Sequence, residues 1–452
     1  MLHACIQRLR RLRPGQIIVL VFLAIILLGA ALLCLPCAAK TRQSTPFLTS
    51  LFTATSATCV TGLIRVDTGV HWSLFGQAVI LLLIQIGGLG FMTIACIFFF
   101  VLRQKIGLRQ RMLLAQALSS NTFSGVVSLV RNILRGTAAV EGAGAAILFL
   151  RFLPQFGVRR ALWYGVFHSV SAFCNAGFDV LGDTAFGGSL SRYAADPVVN
   201  LTVIALVTIG GLGFAVWGDI RKNRRFSRLT VYSRLVIVIS AILTFGGAAA
   251  IAALEWNNPG TLGPFTAPQK LLAALFQSVT LRTAGFVTFD QNAMRDLSKA
   301  LCDMLMFVGG SSGSTAGGVK TVTVGVILLA AWAGARGQED VRVMRRTIPR
   351  ASVANATALF VLVLFLSMLG ASVLCIADGV SLQNAVYEVV SALCTVGITT
   401  GITPQLGVVS QLVLIVFMFF GRLGIMTISV GFMAADRAGA RVQYAETKVM
   451  IG

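Results

Sequence analysis

Four short stretches of this chain share a pattern whose chemistry belongs to the main chain rather than to side chains. They end in Cys59, Val60, Thr61, Gly62; in Cys174, Asn175, Ala176, Gly177; in Arg282, Thr283, Ala284, Gly285; and in Cys394, Thr395, Val396, Gly397. The closing glycines recur about every 110 residues, the mark of an internal repeat. Without a β-carbon, glycine can take the left-handed or extended conformations that turn carbonyl oxygens inward. The residues before it differ among the copies, which suits a site built from backbone. Freed carbonyls aimed at a common axis can replace the water shell of a cation. No acidic residue lies inside the four stretches, which argues against a carboxylate ring for a divalent ion.

Loops of this kind need a membrane around them, and the composition supplies one. Charged residues make up 12% of the chain and hydrophobic residues 56%, with a mean hydropathy of +0.84. That charge content is about half the usual share, too little to cover a soluble surface. The 37 Lys and Arg exceed the 16 Asp and Glu by 21. In a soluble chain that excess would suggest nucleic acid. Here the basic residues fall between apolar runs, so no nucleic-acid partner is expected and the charges are read as topological. Runs long enough to span lie at 17–35, 73–102, 125–150, 197–219, 231–256, 299–335, 351–377 and 408–433. Apolar runs of about a dozen residues between them are too short to cross and suit re-entrant segments.

The first run follows Arg8, Arg10, Arg11 and Arg13 and exceeds the core of roughly 7–15 residues found in signal peptides, so it is read as a retained helix. Basic clusters follow alternate spans: Arg103 to Arg111, Arg221 to Arg228, Arg336 to Arg350, and Arg437 to Lys448. Both termini are therefore expected in the cytoplasm, with Arg151, Arg159 and Arg160 running against the rule. The expected fold is an all-α integral membrane protein with eight spanning helices. Its four parallel helix–pore-loop–helix repeats would surround one pseudo-fourfold ion pathway. They occupy 1–111, 112–229, 230–347 and 348–437, with a cytoplasmic tail at 438–452.

One span departs from the others. As a single helix, 299–335 would be roughly 55 Å long against a hydrocarbon core of about 30 Å. Its middle reads Gly309, Gly310, Ser311, Ser312, Gly313, Ser314, Thr315, Ala316, Gly317, Gly318, with no bulky side chain. The helix should break there, and such a break survives only beside a water-filled path or within protein. The expectation is an intramembrane loop below the four stretches that obstructs the path until a partner moves it. A phosphate-binding loop is the rival reading, but the Walker spacing and a preceding strand are missing. Lys320 either anchors the loop or marks its cytoplasmic end. Glycine clusters starting at Gly87, Gly210 and Gly421 are read as helix-packing positions.

Arg422 stands alone in an apolar run, where an unpaired charge is costly. It either faces the ion path, tuning its electrostatics, or bridges to a carboxylate on a neighbouring helix. Glu141, in the third span, is read as paired or facing a polar crevice rather than as proton-coupling. His3, His71 and His168 are too scattered for a metal site, so a monovalent cation is the one metal expected. Cys34 and Cys37 have redox-like spacing but end an apolar helix. No nucleophile–base pair or carboxylate pair suggests catalysis, so no enzyme is expected.

The motifs resemble those of the Trk/Ktr/HKT superfamily of potassium transporters, most closely the Ktr-type membrane subunit. The resemblance rests on Thr58–Leu63, Ser171–Phe178, Arg282–Phe286 and Gly309–Lys320, and extends from the first span to about Arg437. It implies a single chain folded around one potassium pathway in the plasma (bacterial inner) membrane, paired as a homodimer. It also implies a cytosolic nucleotide-binding regulatory ring (KtrA-like), with the nucleotide on that partner and sodium as a candidate activator. The family assigns gating to the 309–318 segment and carries an arginine in the fourth repeat where Arg422 stands. The first motif follows one span, which favours Ktr over Trk. Some plant relatives have serine at the first filter glycine and prefer sodium; Gly62 and its three counterparts point to potassium, moving down its electrochemical gradient. A Trk-type or sodium-permeable relative and a secondary transporter of a small solute are the alternatives. Transporters of the second kind commonly have inverted repeats, unlike the parallel copies here. The basic segments, 336–350 above all, either dock an acidic face of the ring or hold topology against anionic membrane lipids.

Overall fold

The computed structural model describes residues 14–90, 126–183, 189–338 and 340–424. Along the chain, a long apolar helix leads to a short one, a loop and a further helix, and this order returns. Helix α1 spans Pro14–Cys34, α2 Phe47–Thr58, the single turn α3 Thr68–His71 and α4 Leu74–Leu89. Helix α5, Val126–Phe173, contains both a long and a short segment, separated at Gly157 (φ 70, ψ 169) just after Pro154. Then come α6 (Pro197–Leu212), α7 (Phe214–Lys222), α8 (Val231–Glu255), α9 (Ala267–Thr280), α10 (Asp296–Phe307) and α11 (Thr321–Ala335). A small hairpin, β1 (Arg342–Val343) with β2 (Arg346–Thr347), precedes α12 (Arg350–Asp378), α13 (Leu382–Leu393) and α14 (Val408–Leu423).

Length sorts these helices. Among the described residues, four are long and apolar enough to cross a membrane: 16–34, 130–173, 231–255 and 350–378. Helices α2, α9 and α13 have 12, 14 and 12 residues. At 1.5 Å per residue they reach roughly 18–21 Å, short of a core of about 30 Å. Starts are set by side-chain caps. Asp196 accepts from the amides of Val198 and Val199 (2.9 and 3.2 Å) ahead of Pro197, and Ser73 accepts from Gly76 (3.3 Å).

Two expectations change. The 197–219 run is not one helix: α6 and α7 meet at Gly213 (φ 93) with a bend of 92°. The break between α10 and α11 is therefore not unique among the expected spans. Helices α4 and α14 likewise stop at left-handed glycines, Gly90 (φ 78) and Gly424 (φ 80), inside runs expected to continue to 102 and 433. Hydropathy registers how apolar a run is, and a glycine that reverses the sign of φ is invisible to it. The remainder of those two runs lies outside the described residues, as do the N-terminal arginines, the 103–111 cluster and the tail at 438–452.

Packing closes a ring. Helix α4 contacts α5, α6 contacts α9, α10 contacts α13, and α14 returns to α2. Glycine makes part of this possible. A β-carbon on Gly87 would lie 1.9 Å from the Thr58 carbonyl oxygen; on Gly210, 2.0 Å from that of Phe173; on Gly421, 2.1 Å from that of Leu393. Each of these glycines presses its helix onto the last helical carbonyl of a short helix. The packing role expected for them is met, and its partner is specific. Gly87→Ala should therefore destabilise the protein by about 1–3 kcal/mol through overpacking. Gly142→Ala, which meets nothing within 4 Å, should be neutral in the same detergent melting measurement.

Candidate ion pathway

Each short helix ends in a tight turn that starts its loop. The amide of Thr61 donates to the Ser56 carbonyl (2.8 Å), Ala176 to Ser171 (2.8 Å) and Val396 to Ser391 (2.7 Å). The third loop is wound one residue tighter, with Ala284 donating to Thr280 (2.9 Å). The hydroxyl of that same helix residue then clamps the loop. Ser56 and Ser391 accept from the amides of Gly62 and Gly397, both at 3.0 Å. Ser171 and Thr280 donate to the carbonyls of Phe178 and Phe286, both at 2.7 Å. A serine six residues before Gly62, Gly177 and Gly397, and a threonine five before Gly285, are visible in the sequence, but their bonding is not.

Backbone conformation repeats with the same regularity. Val60, Asn175, Thr283 and Thr395 have φ of 56, 59, 69 and 53°, and the glycines two residues on have φ of 101, 67, 81 and 87°. Non-glycine residues seldom occupy this region. Here four do so at equivalent positions, each followed by a glycine.

The four loops meet carbonyl to glycine. A β-carbon on Gly62 would stand 2.5 Å from the carbonyl oxygen of Ala176; on Gly177, 2.9 Å from that of Ala284; on Gly285, 2.7 Å from that of Val396; on Gly397, 1.9 Å from that of Thr61. The residue before each closing glycine therefore sets its carbonyl against the glycine of a neighbouring loop, in cyclic order. The short helices add the partial negative charge of their carboxyl ends. Carbonyl oxygens gathered in this way suit a cation that can shed its hydration shell. All four sequence-predicted stretches are thus brought together. Arg282 contributes backbone, while its side chain is buried, its Nε without a partner among the described residues, at the wall of a small cavity shared with Ser240, Gly211 and Gly310.

The 308–320 segment breaks the helix between α10 and α11 as expected, and it lies against the loops. A β-carbon on Gly317 would collide with Thr395 Oγ1 at 1.9 Å, and Thr315 Oγ1 donates to the Phe173 carbonyl (3.1 Å). Its mouth is closed by the Gly309 amide on the Val319 carbonyl (2.9 Å). Helix α6 supports it, the amides of Ser311 and Thr315 donating to Gly211 (3.1 Å) and Gly210 (3.3 Å). Lys320 folds back on the loop, Nζ donating to the carbonyls of Ala316 (2.8 Å) and Gly317 (3.3 Å). Of its two readings, the anchoring contact is the one observed.

Arg422 reaches three main-chain carbonyls: Thr315 in the loop, and Gly87 and Gly88 at the end of α4, the last at 3.0 Å. Among the described residues its partners are these carbonyls rather than a carboxylate, so the bridge reading changes its acceptor. The end of α4 leaves carbonyls without helical partners, and the guanidinium supplies donors for them. Elsewhere, Gln85 donates to both oxygens of Glu141 (3.2 and 3.3 Å), and Arg151, one of the outward arginines, pairs with Asp196 at 2.6 Å.

Comparison with known proteins gives one consistent result. Residues 16–440 match the family model TrkH, described as cation transport protein. The potassium/sodium uptake protein NtpJ of Enterococcus hirae is 40% identical over 448 residues, covering 98% of each chain. Ktr system potassium uptake protein B of Bacillus subtilis is also 40% identical, over 98% of this chain and 97% of its own. The potassium transporter TrkH of Vibrio parahaemolyticus superposes with a TM-score of 0.72 over 92% of this chain and 84% of its own, at 18% identity, a likeness of fold.

If Arg422 secures the loop, Arg422→Gln should loosen it. Charge-assisted bonds are worth about 1.5–3 kcal/mol each. Amide hydrogen exchange in 309–318 should accelerate by roughly ten-fold or more, with α12 unchanged as an internal control.

Proposed function

The chain belongs to the TrkH family of cation transport proteins, and from that premise we propose that it translocates potassium across the membrane through a filter of backbone carbonyls. The observation that carries the reading is the cyclic contact of Thr61, Ala176, Ala284 and Val396 carbonyls with the glycines of neighbouring loops. Selectivity then comes from exchanging water oxygens for a fixed set of carbonyls. Cys59–Gly62, Cys174–Gly177, Arg282–Gly285 and Cys394–Gly397 line the filter, in four parallel repeats totalling eight spans. Left-handed backbone two residues before each glycine supports this assignment.

The 309–318 loop is the gate. It is rich in glycine, packs on Thr395 and the Phe173 carbonyl, and is held by Lys320 and Arg422 rather than by a hydrophobic core. Opening requires those carbonyl contacts to be exchanged. The Bacillus relative is named for a Ktr system, which supports a partner: a cytosolic regulatory ring bearing the nucleotide and acting on a homodimer in the bacterial inner membrane. Both termini lie in the cytoplasm by the distribution of Arg and Lys. Glu141, bound by Gln85, serves structure. Sodium as a second permeant or activating ion is favoured by the Enterococcus relative, whose name couples potassium with sodium.

Proteoliposomes containing this chain alone test the proposal. Rubidium or potassium uptake should exceed sodium uptake. Gly285→Ser should erase much of that preference, because its β-carbon meets the Val396 carbonyl at 2.7 Å in a backbone conformation unsuited to serine. Deleting Gly310–Ala316 should raise flux several-fold in the absence of any partner, an order-of-magnitude expectation for removing a gate. Uptake coupled to an organic solute, or no cation flux even after the deletion, would favour a secondary transporter.

A further inference from the structure

The tip of the intramembrane loop is held from the side by one continuous segment of the second and third repeats. At one end of that segment, the Phe214 amide donates to the Gly313 carbonyl (2.9 Å). At the other, the Tyr232 hydroxyl donates to the Ser312 carbonyl (3.0 Å). Two successive residues of the loop are thus fastened to the two ends of residues 214–232. Ser312 and Gly313 are partly exposed, whereas Ser311, Thr315, Ala316 and Gly317 are buried, so these contacts are on the free end of the loop.

The segment between those ends is internally braced. Asp219, on α7, accepts from the Thr230 amide (2.9 Å), the Thr230 hydroxyl (2.8 Å) and Asn223 Nδ2 (2.9 Å). Thr230 in turn caps α8, accepting from the Ser233 amide (3.3 Å). Helix α7 leaves α6 at 92°, so it runs across rather than along the direction of the span. The brace joins α7 to the first turn of α8, where Tyr232 lies. The last turn of α7 exposes Arg221 and Lys222, and the turn that follows exposes Arg224, Arg225 and Arg228.

We propose that residues 214–232 act as a lever on the intramembrane loop, with Tyr232 as the latch that keeps the loop in place. The inference rests on the reading of 309–318 as the gate and adds to it a specific restraint and a specific route. Movement of the basic turn reaches the loop through the Asp219–Thr230 brace. A hinge lies at the other end, where the left-handed Gly213 packs on the Ser312 carbonyl, 3.0 Å from a β-carbon placed there. Tyr232 is a positioning residue: it acts through the loop and contacts no ion. Its hydroxyl can be removed while the ring keeps its packing, which makes the latch separable from the fold.

Tyr232→Phe is therefore tested in proteoliposomes without a partner, alone and combined with the Gly310–Ala316 deletion. One neutral hydrogen bond changes an equilibrium by roughly two- to twelve-fold. Tyr232→Phe should raise rubidium flux by that factor, leave the potassium-to-sodium preference unchanged, and add nothing in the deleted background. Asp219→Asn, which weakens the brace but spares the phenol, should raise flux in the same direction. If the deletion raises flux and Tyr232→Phe does not, the latch is wrong and the gate stands. An equal rise from Tyr232→Phe with and without the loop would place its effect elsewhere and overturn the latch. A deletion without effect would overturn the gate, and the latch with it.

Discussion

The structure depends on carbonyl oxygens set against glycines where no β-carbon can fit. In the four central loops the contact runs between neighbours. A side chain at Gly62, Gly177, Gly285 or Gly397 would drive a carbon to within 1.9–2.9 Å of the next loop's oxygen. One layer out, the same constraint operates between helices, at Gly87, Gly210 and Gly421 against the ends of the short helices. Backbone therefore touches backbone through two successive layers.

Bringing so many carbonyls together requires donors and restraint. Hydroxyls at Ser56, Ser171, Thr280 and Ser391 bind each loop to its own helix, in two cases by accepting from the glycine amide and in two by donating to a carbonyl after it. Further from the loops, Lys320 and Arg422 use positive charge to bind main-chain carbonyls of the intramembrane segment and of α4. Buried charge is costly unless hydrogen-bonded. Ending both cations on carbonyls satisfies that requirement, and on the proposed function it places positive charge close to the ion path. The segment they hold carries glycine, serine, threonine and alanine, side chains too small to lock it by packing.

Much of this is legible in the sequence. Four glycine-terminated stretches at regular spacing predict the loops, and five glycines among 309–318 predict a broken helix, because helix propensity and span length both fail there. The composition excludes a soluble fold. What escapes is conformation without a compositional signature. Gly213 lies in an apolar run that reads as one span, yet its φ of 93° turns the chain through 92°. Thr280 sits one residue out of register with Ser56, Ser171 and Ser391, and only the tighter third turn reveals why. Arg422 stands out as an anomaly, but its acceptors come from a loop and a helix distant in sequence. Tyr232 looks like an ordinary residue at the start of a span, since nothing local indicates that it faces Ser312.

The most direct test of the central claim is to locate the ion. Crystals or frozen particles of the protein, prepared with rubidium or thallium in place of potassium, would show whether a heavy monovalent cation resides between the four loops. Ordered density is expected on their common axis, at the level of the Thr61, Ala176, Ala284 and Val396 carbonyls, and should be lost when sodium replaces the heavy ion. A cation bound elsewhere, with the loop axis empty at saturating rubidium, would contradict the central claim.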